Sequence, residues 1–292
     1  MKKVAIVCAN GIGDALMSMV LTHNAELAGF RVDTYSTILL ELKEWFPGKN
    51  IYPFPPRETL ESIFASYDLV IGADHSLISN GDLSPKIKTI ILKENSFDKS
   101  KTIVDNLLSF AKNQFNLESP LRTNGITSPQ DLVYQLYSKR IILHTESTEA
   151  KRKWPAKKFI ALARMLDKKG WRAAICLNPQ ERVSWQKYIP EYPFIDFPTT
   201  LSLADAAAYI YQSRALIGNN SGLGHLASCM GLPTVSLFAR KTYANLWRPG
   251  FGKNRVVTPL PLLIGAGLKY KYWQKFLFPS KVLSAFEKIE KE

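Results

Sequence analysis

Cysteine and histidine are scarce in this chain of 292 residues: Cys8, Cys176 and Cys229, with His23, His75, His144 and His225. The cysteines are odd in number, far apart and set in apolar patterns. They are expected to be buried free thiols of a reducing compartment rather than a disulfide framework. No Cys-x-x-Cys and no His-Glu-x-x-His occurs, which excludes the usual thiolate and helix-borne zinc sites. His23, His75 and His144 have no ligand-like spacing and are expected to be structural. There is no Asp-x-Asp, so no carboxylate-held metal bridging a nucleotide diphosphate is indicated, and there is no Walker A loop. No stretch approaches the ~18 uninterrupted apolar residues of a membrane span. The first apolar run ends at Asn10-Gly11, too short for a signal-peptide core, so a first β-strand and a cytoplasmic protein are expected. With 46% hydrophobic and 22% charged residues the chain is globular, and its 16 Gly and 17 Pro exclude a collagen-like repeat.

Negative charge is also in short supply. Lys and Arg number 38 against 25 Asp and Glu, a formal +13. Such an excess implies a polyanionic partner, whether nucleic acid, an anionic membrane surface or a phosphorylated substrate. No nucleic-acid-binding module is recognisable, so no nucleic-acid partner is expected.

The dominant pattern is a short β-branched run followed by a helical stretch. It begins with strand Lys3–Cys8 and helix Asp14–Gly29 and continues to about Gln114. It restarts with strand Arg140–His144, helix Pro155–Lys169, strand Arg172–Leu177, strand Ala215–Gly218 and helix Gly222–Met230. Between the halves, Pro120, Asn124-Gly125 and Ser128-Pro129 punctuate a stretch of little periodicity, Asn116–Ser138. Alternating strands and helices point to parallel sheets covered on both faces. Two α/β domains, 1–138 and 139–292, facing a cleft are expected, since one core rarely serves more than ~250 residues.

Three turns could carry chemistry. The first is Asn10-Gly11-Ile12-Gly13-Asp14. It fails as a dinucleotide fingerprint, because Leu16 stands at the third glycine and Asp14 would repel a pyrophosphate. Gly11 and Gly13 are instead expected to form a tight turn that lifts Asp14 into the cleft, although Asp14 could equally cap the helix. The second is Thr145-Glu146-Ser147-Thr148-Glu149-Ala150-Lys151-Arg152-Lys153-Trp154-Pro155. Hydroxyls, three cations and a helix start suit an anion, and the competing reading is a solvated charge run. The third is Gly218-Asn219-Asn220-Ser221-Gly222-Leu223-Gly224-His225. Here Ser221 and a helix N-terminus offer donors to phosphate, while His225 could be satisfied by a neighbouring carbonyl.

Together these segments resemble the heptosyltransferase family of bacterial glycosyltransferases. The blocks are Gly11-Ile12-Gly13-Asp14, Lys151 to Phe159 around Trp154-Pro155, Gly218 to Ala227, and Gly231 to Phe238 with Trp247-Arg248-Pro249. The resemblance implies the GT-B architecture, two Rossmann-like domains with acceptor on the N-terminal side and nucleotide sugar on the C-terminal side. It also implies a final helix, near Pro279–Lys291, that packs back on the first domain. The implied reaction is inverting, metal-independent transfer of a heptose-type sugar from ADP-heptose to a phosphorylated, lipid-linked lipopolysaccharide-core saccharide, with no cofactor. The implied base is Asp14, with Gly11 and Gly13 forming the acceptor-side turn. The implied donor-binding residues are Ser147, Thr148, Lys151, Arg152, Glu181, Asn220, Ser221, Gly222 and His225, with Glu181 facing the ribose.

Three departures accompany the resemblance. Asn220 replaces an acidic residue, Arg152 replaces a lysine, and Ala239-Arg240-Lys241 replaces Gly-Pro-Thr. A sugar-nucleotide epimerase of the same architecture and an inactive partner protein are the rival readings. From Ala239 to Glu292, eleven Lys/Arg face three acids, a surplus of eight. Within it, Leu268–Pro279 interleaves cations with aromatics. This reads either as a peripheral patch against the anionic inner membrane or as a helix with its aromatics packed on the core.

Overall fold

The computed structural model describes residues 1–292 apart from 74, 75, 77, 79–81, 148 and 260–271. His75, Thr148 and the Leu268–Lys271 part of the cation–aromatic segment therefore lie outside the described residues. The chain forms two compact units, Met1–Pro129 and Gln130–Glu292. The division falls after Pro129 rather than Ser138 because residues 134–137 are already fastened to the second unit. Tyr134 Oη donates to the Gly231 carbonyl at 2.9 Å, and the Gln135 and Tyr137 amides donate to Tyr211 and Gln212 carbonyls.

The first unit contains β1 (Lys3–Val7), α1 (Ile12–Leu27), β2 (Arg31–Tyr35), β3 (Asn50–Tyr52), α2 (Leu60–Phe64), β4 (Leu69–Ala73), β5 (Thr89–Leu92) and α3 (Ile103–Gln114). Its sheet runs β3-β2-β1-β4-β5, and every pair is parallel. Val4 to Val7 are all buried, which is why β1 reads as a continuous apolar run instead of an alternating one. The segment before Pro47 is a 3-10 helix, Ile38–Trp45, whose buried residues Leu39, Leu42 and Trp45 recur every third position, the period of that helix. The punctuated stretch after α3 is latched to α1. The Asn24 side chain, fully buried, exchanges hydrogen bonds with both backbone groups of Leu121, and Asn124 Nδ2 donates to the Leu16 carbonyl.

The second unit contains β6 (Tyr137–His144), α4 (Ala156–Asp167), β7 (Arg172–Ala174), α5 (Pro179–Trp185), β8 (Ile195–Asp196), α6 (Leu203–Tyr211), β9 (Ser213–Asn219), α7 (Gly222–Cys229), β10 (Thr234–Leu237), α8 (Lys241–Trp247), β11 (Asn254–Val257), α9 (Trp273–Phe276) and α10 (Pro279–Glu290). The sheet order is β11-β10-β9-β6-β7-β8, again with every pair parallel. Helix starts follow local chemistry: Asn178 with Glu181, and Ser202 with Asp205, form reciprocal capping boxes. The core is built from Ile141, Leu143, Phe159, Leu162, Ile217 and Phe286, among others.

The final helix α10, for which the resemblance allows a return to the first domain, buries Val282, Leu283, Phe286 and Ile289 in its own unit's core, packed on α4 and β11. Burying each such side chain stabilises that placement by ~1.5–3 kcal/mol. In the described part of the cation–aromatic segment, Trp273 and Leu277 are buried in the core while Tyr272, Lys275 and Phe278 are exposed. The Trp273 indole is thus unavailable to a membrane surface. Among the described residues no helix is long and apolar enough to cross a membrane. Burial also pushes the Cys8 and Cys176 thiols up to about 12, as expected of inert free cysteines, while Cys229 is only half-buried.

Candidate active site

Each sheet is wound outward in two directions from its first strand. In the first unit the chain adds β2 and β3 on one side of β1, then β4 and β5 on the other. In the second it adds β7 and β8 on one side of β6, then β9, β10 and β11 on the other. The order therefore reverses at β1/β4 and at β6/β9. Beyond the carboxyl ends of strands at such points, adjacent loops diverge and leave a crevice for ligand. The Gly11–Asp14 turn follows β1, the 145–155 loop follows β6, and the Asn220–Gly222 turn follows β9. All three sequence-predicted turns thus sit at carboxyl ends beside a reversal.

At the first turn the N-cap of α1 is Gly11, and Asp14 lies in the first helical turn. Asp14 is therefore no N-cap, though a carboxylate at this position is favoured by the helix dipole. Gly11 has φ −78° and ψ 139°, which any residue can adopt, so the expected conformational need for glycine is not the reason for it. Space is. A Cβ on Gly11 would lie 2.6 Å from Asp14 Oδ2, so the glycine makes room for the carboxylate. Gly13 is buried within α1.

The second and third turns are brought together by a residue that sequence reasoning passed over. Asn219 is 1% exposed and ends β9. Its Nδ2 donates to the Thr145 carbonyl at 2.7 Å, and its Oδ1 accepts from the Trp154 amide at 3.0 Å. Both ends of the 145–154 loop are thereby fastened to the end of β9. One residue earlier, Gly218 pairs in register with His144, and a Cβ there would meet the His144 carbonyl oxygen at 2.7 Å. Only glycine lets β9 approach β6 this closely.

The cation run is not a free positive patch. Lys151 and Arg152 both pair with Glu149, and Lys153 pairs with Glu146. Glu149 is held below its usual range first by its hydrogen bond from Lys151 and also by Arg152. The Arg152 guanidinium also stands 5.4 Å from the Tyr243 ring centroid. The loop's other side is braced by α9: Trp273 Nε1 and Gln274 Nε2 both donate to the Lys151 carbonyl, at 2.8 and 3.0 Å. Ser147 is half-buried in this loop.

Glu181 proves to be a helix cap, with Oε2 accepting from the Asn178 amide at 3.0 Å. Burial raises its pKa, the backbone bond opposes that, and the charges of Glu146 and Lys153 are felt there. It thus lies within electrostatic reach of the loop.

At α7, Ser221 is the N-cap in extended conformation, yet its side chain does not cap. Among the described residues its Oγ is buried without a hydrogen-bond partner, as are His225 Nδ1 and His144 Nδ1. The alternative of a neighbouring carbonyl is not met at His225 Nδ1 among the described residues. Burial holds both imidazoles down to about 4, so they are neutral at pH 7. Asn220 is half-buried between β9 and α7 and adds no charge. Beside it, Ser221 Oγ and the unsatisfied amides of the first helical turn form a donor-rich surface of the kind that binds phosphate.

Two units, each a doubly wound parallel sheet, constitute the GT-B type of glycosyltransferase architecture. The chain belongs to glycosyltransferase family 9, the heptosyltransferases, whose family model matches residues 97–258. The fold is similar to the E. coli ADP-heptose LPS heptosyltransferase II, at 15% identity and TM-score 0.73 over 100% of both chains. It is likewise similar to E. coli heptosyltransferase WaaC with ADP-2-deoxy-2-fluoro heptose, at 15% identity and TM-score 0.73 over 98% of this chain and 99% of that one. A glycosyl transferase family 9 structure from Veillonella parvula DSM 2008 matches at 15% identity and TM-score 0.73, covering 99% and 97%. No curated protein sequence matches the chain.

Proposed function

We propose that this glycosyltransferase moves a heptose-type sugar from ADP-heptose to a phosphorylated, lipid-linked saccharide of the lipopolysaccharide core, with inversion and without a metal. The observation that carries the donor half is the β6/β9 crevice, where a Ser221 Oγ with no partner among the described residues and a helix N-terminus adjoin a loop bearing three cations. The Ser221 hydroxyl, the α7 amides, Lys151 and Arg152 hold the diphosphate and take up its growing charge as the glycosidic bond breaks. The cations do so by exchanging Glu149 for phosphate oxygens. Ser147, Thr148, Gly222 and Asn220 complete the donor contacts, Glu181 takes the ribose, and His225 acts as a neutral hydrogen-bonding group.

Inversion needs the acceptor hydroxyl to attack the anomeric carbon opposite the leaving diphosphate, losing its proton as the new bond forms. Asp14 receives that proton. What supports this role is a carboxylate at the carboxyl end of β1, with Gly11 leaving it space. The work is done in the cytoplasm at the inner face of the membrane, where a lipid-linked acceptor is presented.

The test is release of ADP from ADP-heptose in the presence of a core saccharide acceptor, with and without EDTA. Acceptor-dependent release, unchanged by EDTA, is expected. Full inhibition by EDTA that Mg²⁺ reverses overturns the metal-free mechanism, and no release with any core acceptor overturns the substrate assignment.

A further inference from the structure

The C-terminal surplus of positive charge is unused by the donor-site reading, and the structure gives part of it a location. Among the described residues β11 is an edge strand, with β10 on one side only. The sequence pattern had not marked β11 or α8, and together with α10 they shape two grooves. On one face, α8 and β11 enclose about 420 Å³ lined by Lys241, Asn245 and Arg248. On the other, α10 and β11 enclose about 360 Å³ lined by Arg255, Lys281 and Lys288. Asn254 and Val256 line both, so the grooves adjoin across the sheet edge.

Five cations line the pair, and no carboxylate does. Some cations elsewhere in this unit are matched: Lys169 with Glu287, Arg172 with Asp196, Arg214 with Glu290. Of the groove cations, Arg255 has Glu292. Lys281 gives its ammonium to the Thr258 carbonyl at 2.8 Å. Among the described residues, no carboxylate lies within ion-pair distance of Lys241, Arg248 or Lys288. The Arg255 Nε donor is moreover buried without a partner among the described residues. Like charges gathered along one edge repel one another, and the opposing charge that would relieve them is an anion.

We propose that this edge is a second anion site, a track for phosphate esters apart from the β6/β9 crevice. Lys241 and Arg248 hold one phosphate group, and Arg255 and Lys288 hold another. The Asn245 amide and the Ser284 hydroxyl add neutral hydrogen-bonding groups. The shared chemistry is the phosphate ester, carried either by a soluble phosphorylated saccharide or by lipid headgroups.

The experiment titrates the full-length protein with glucose 6-phosphate while following backbone amide shifts. In parallel it measures co-sedimentation with phosphatidylglycerol and phosphatidylcholine vesicles. The same measurements are made on the combined Lys241→Ala, Arg248→Ala, Lys288→Ala variant. Shifts centred on Asn254–Thr258, weakened roughly ten-fold or more in the variant, identify a soluble phosphosaccharide as the source. Sedimentation with phosphatidylglycerol but not phosphatidylcholine, lost in the variant and at high salt, identifies headgroups. ADP binding is expected to be the same in both proteins, since its residues are on other loops. Wild-type protein that binds neither probe, or a variant that binds both as wild type does, overturns the proposal.

Discussion

One amide, Asn219, holds both ends of the 145–154 loop: the Thr145 carbonyl at 2.7 Å through Nδ2 and the Trp154 amide at 3.0 Å through Oδ1. The cations proposed to receive the diphosphate lie on that loop, so Asn219 acts as a positioning residue. Replacing it with Leu leaves two buried backbone groups unpaired, at ~1–3 kcal/mol each. For Asn219→Leu, ADP binding is expected to weaken about ten-fold or more while the acceptor KM is unchanged, as read by calorimetry and steady-state kinetics. A lower Tm with ADP affinity intact in the folded protein would leave Asn219 a purely structural role.

Asp14→Asn is expected to lower kcat by about 10²-fold or more, the usual contribution of a general base. ADP affinity should be untouched, and the stability loss should not exceed the ~0.3–1 kcal/mol of a carboxylate at a helix N-terminus. Gly11→Ala probes the same group indirectly, since its Cβ would displace the Asp14 carboxylate; kcat should fall there too. An Asp14→Asn enzyme that unfolds more easily yet turns over normally would make the residue a helix-stabilising group only.

Glu149 competes with any anion for Lys151 and Arg152. Glu149→Gln should tighten ADP binding by about two- to five-fold, the scale of a largely exposed ion pair. Arg152→Ala should weaken it, and both differences should shrink as salt is raised. ADP binding that weakens in Glu149→Gln would mean that the carboxylate orders the loop instead of competing for its cations.

The buried histidines set a pH dependence of stability. Burial lowers His144 and His225 to about 4 from an ordinary 6.5. Between these values the unfolded chain binds more protons than the folded one, so stability is full above pH 6.5 and is lost as pH falls toward 4. The effect is on the order of 3 kcal/mol for each histidine, from 1.36 kcal/mol per pH unit. Thermal unfolding from pH 7 to 4.5 should show a steep fall in Tm that His225→Gln and His144→Gln each make shallower. Equal slopes in all three proteins would mean that neither imidazole is kept neutral by the fold.

Much of this architecture was open to sequence reading because its signals are local. The continuous apolar run Val4 to Val7, β-branched at three of its four positions, reads as a strand covered on both faces, and the Pro155 and Gly170 flanks bound α4. Edge strand β11 escaped notice because four residues beginning Asn254-Arg255 carry neither an apolar run nor a clear alternation. The 3-10 form of Ile38–Trp45 was likewise hidden, since its apolar residues at every third position lie close to a helical stripe.

From the residues alone came the alternation of strand and helix, the three polar turns at strand ends, the excess of cations and the family motifs. These depend on local propensity and on residue type. Tertiary structure alone decided which of two adjacent asparagines matters to the loop. Asn219 and Asn220 are equivalent as letters, but β9 pairs beside β6 so that Asn219 is buried against Thr145, a residue 74 positions away, while Asn220 is left half-exposed. It likewise decided that Gly11 is there for space, that the loop cations are held by Glu146 and Glu149, and that Trp273 faces the core. Each of these turns on where groups from separate segments meet, and that is set only when the sheets close and their side chains pack.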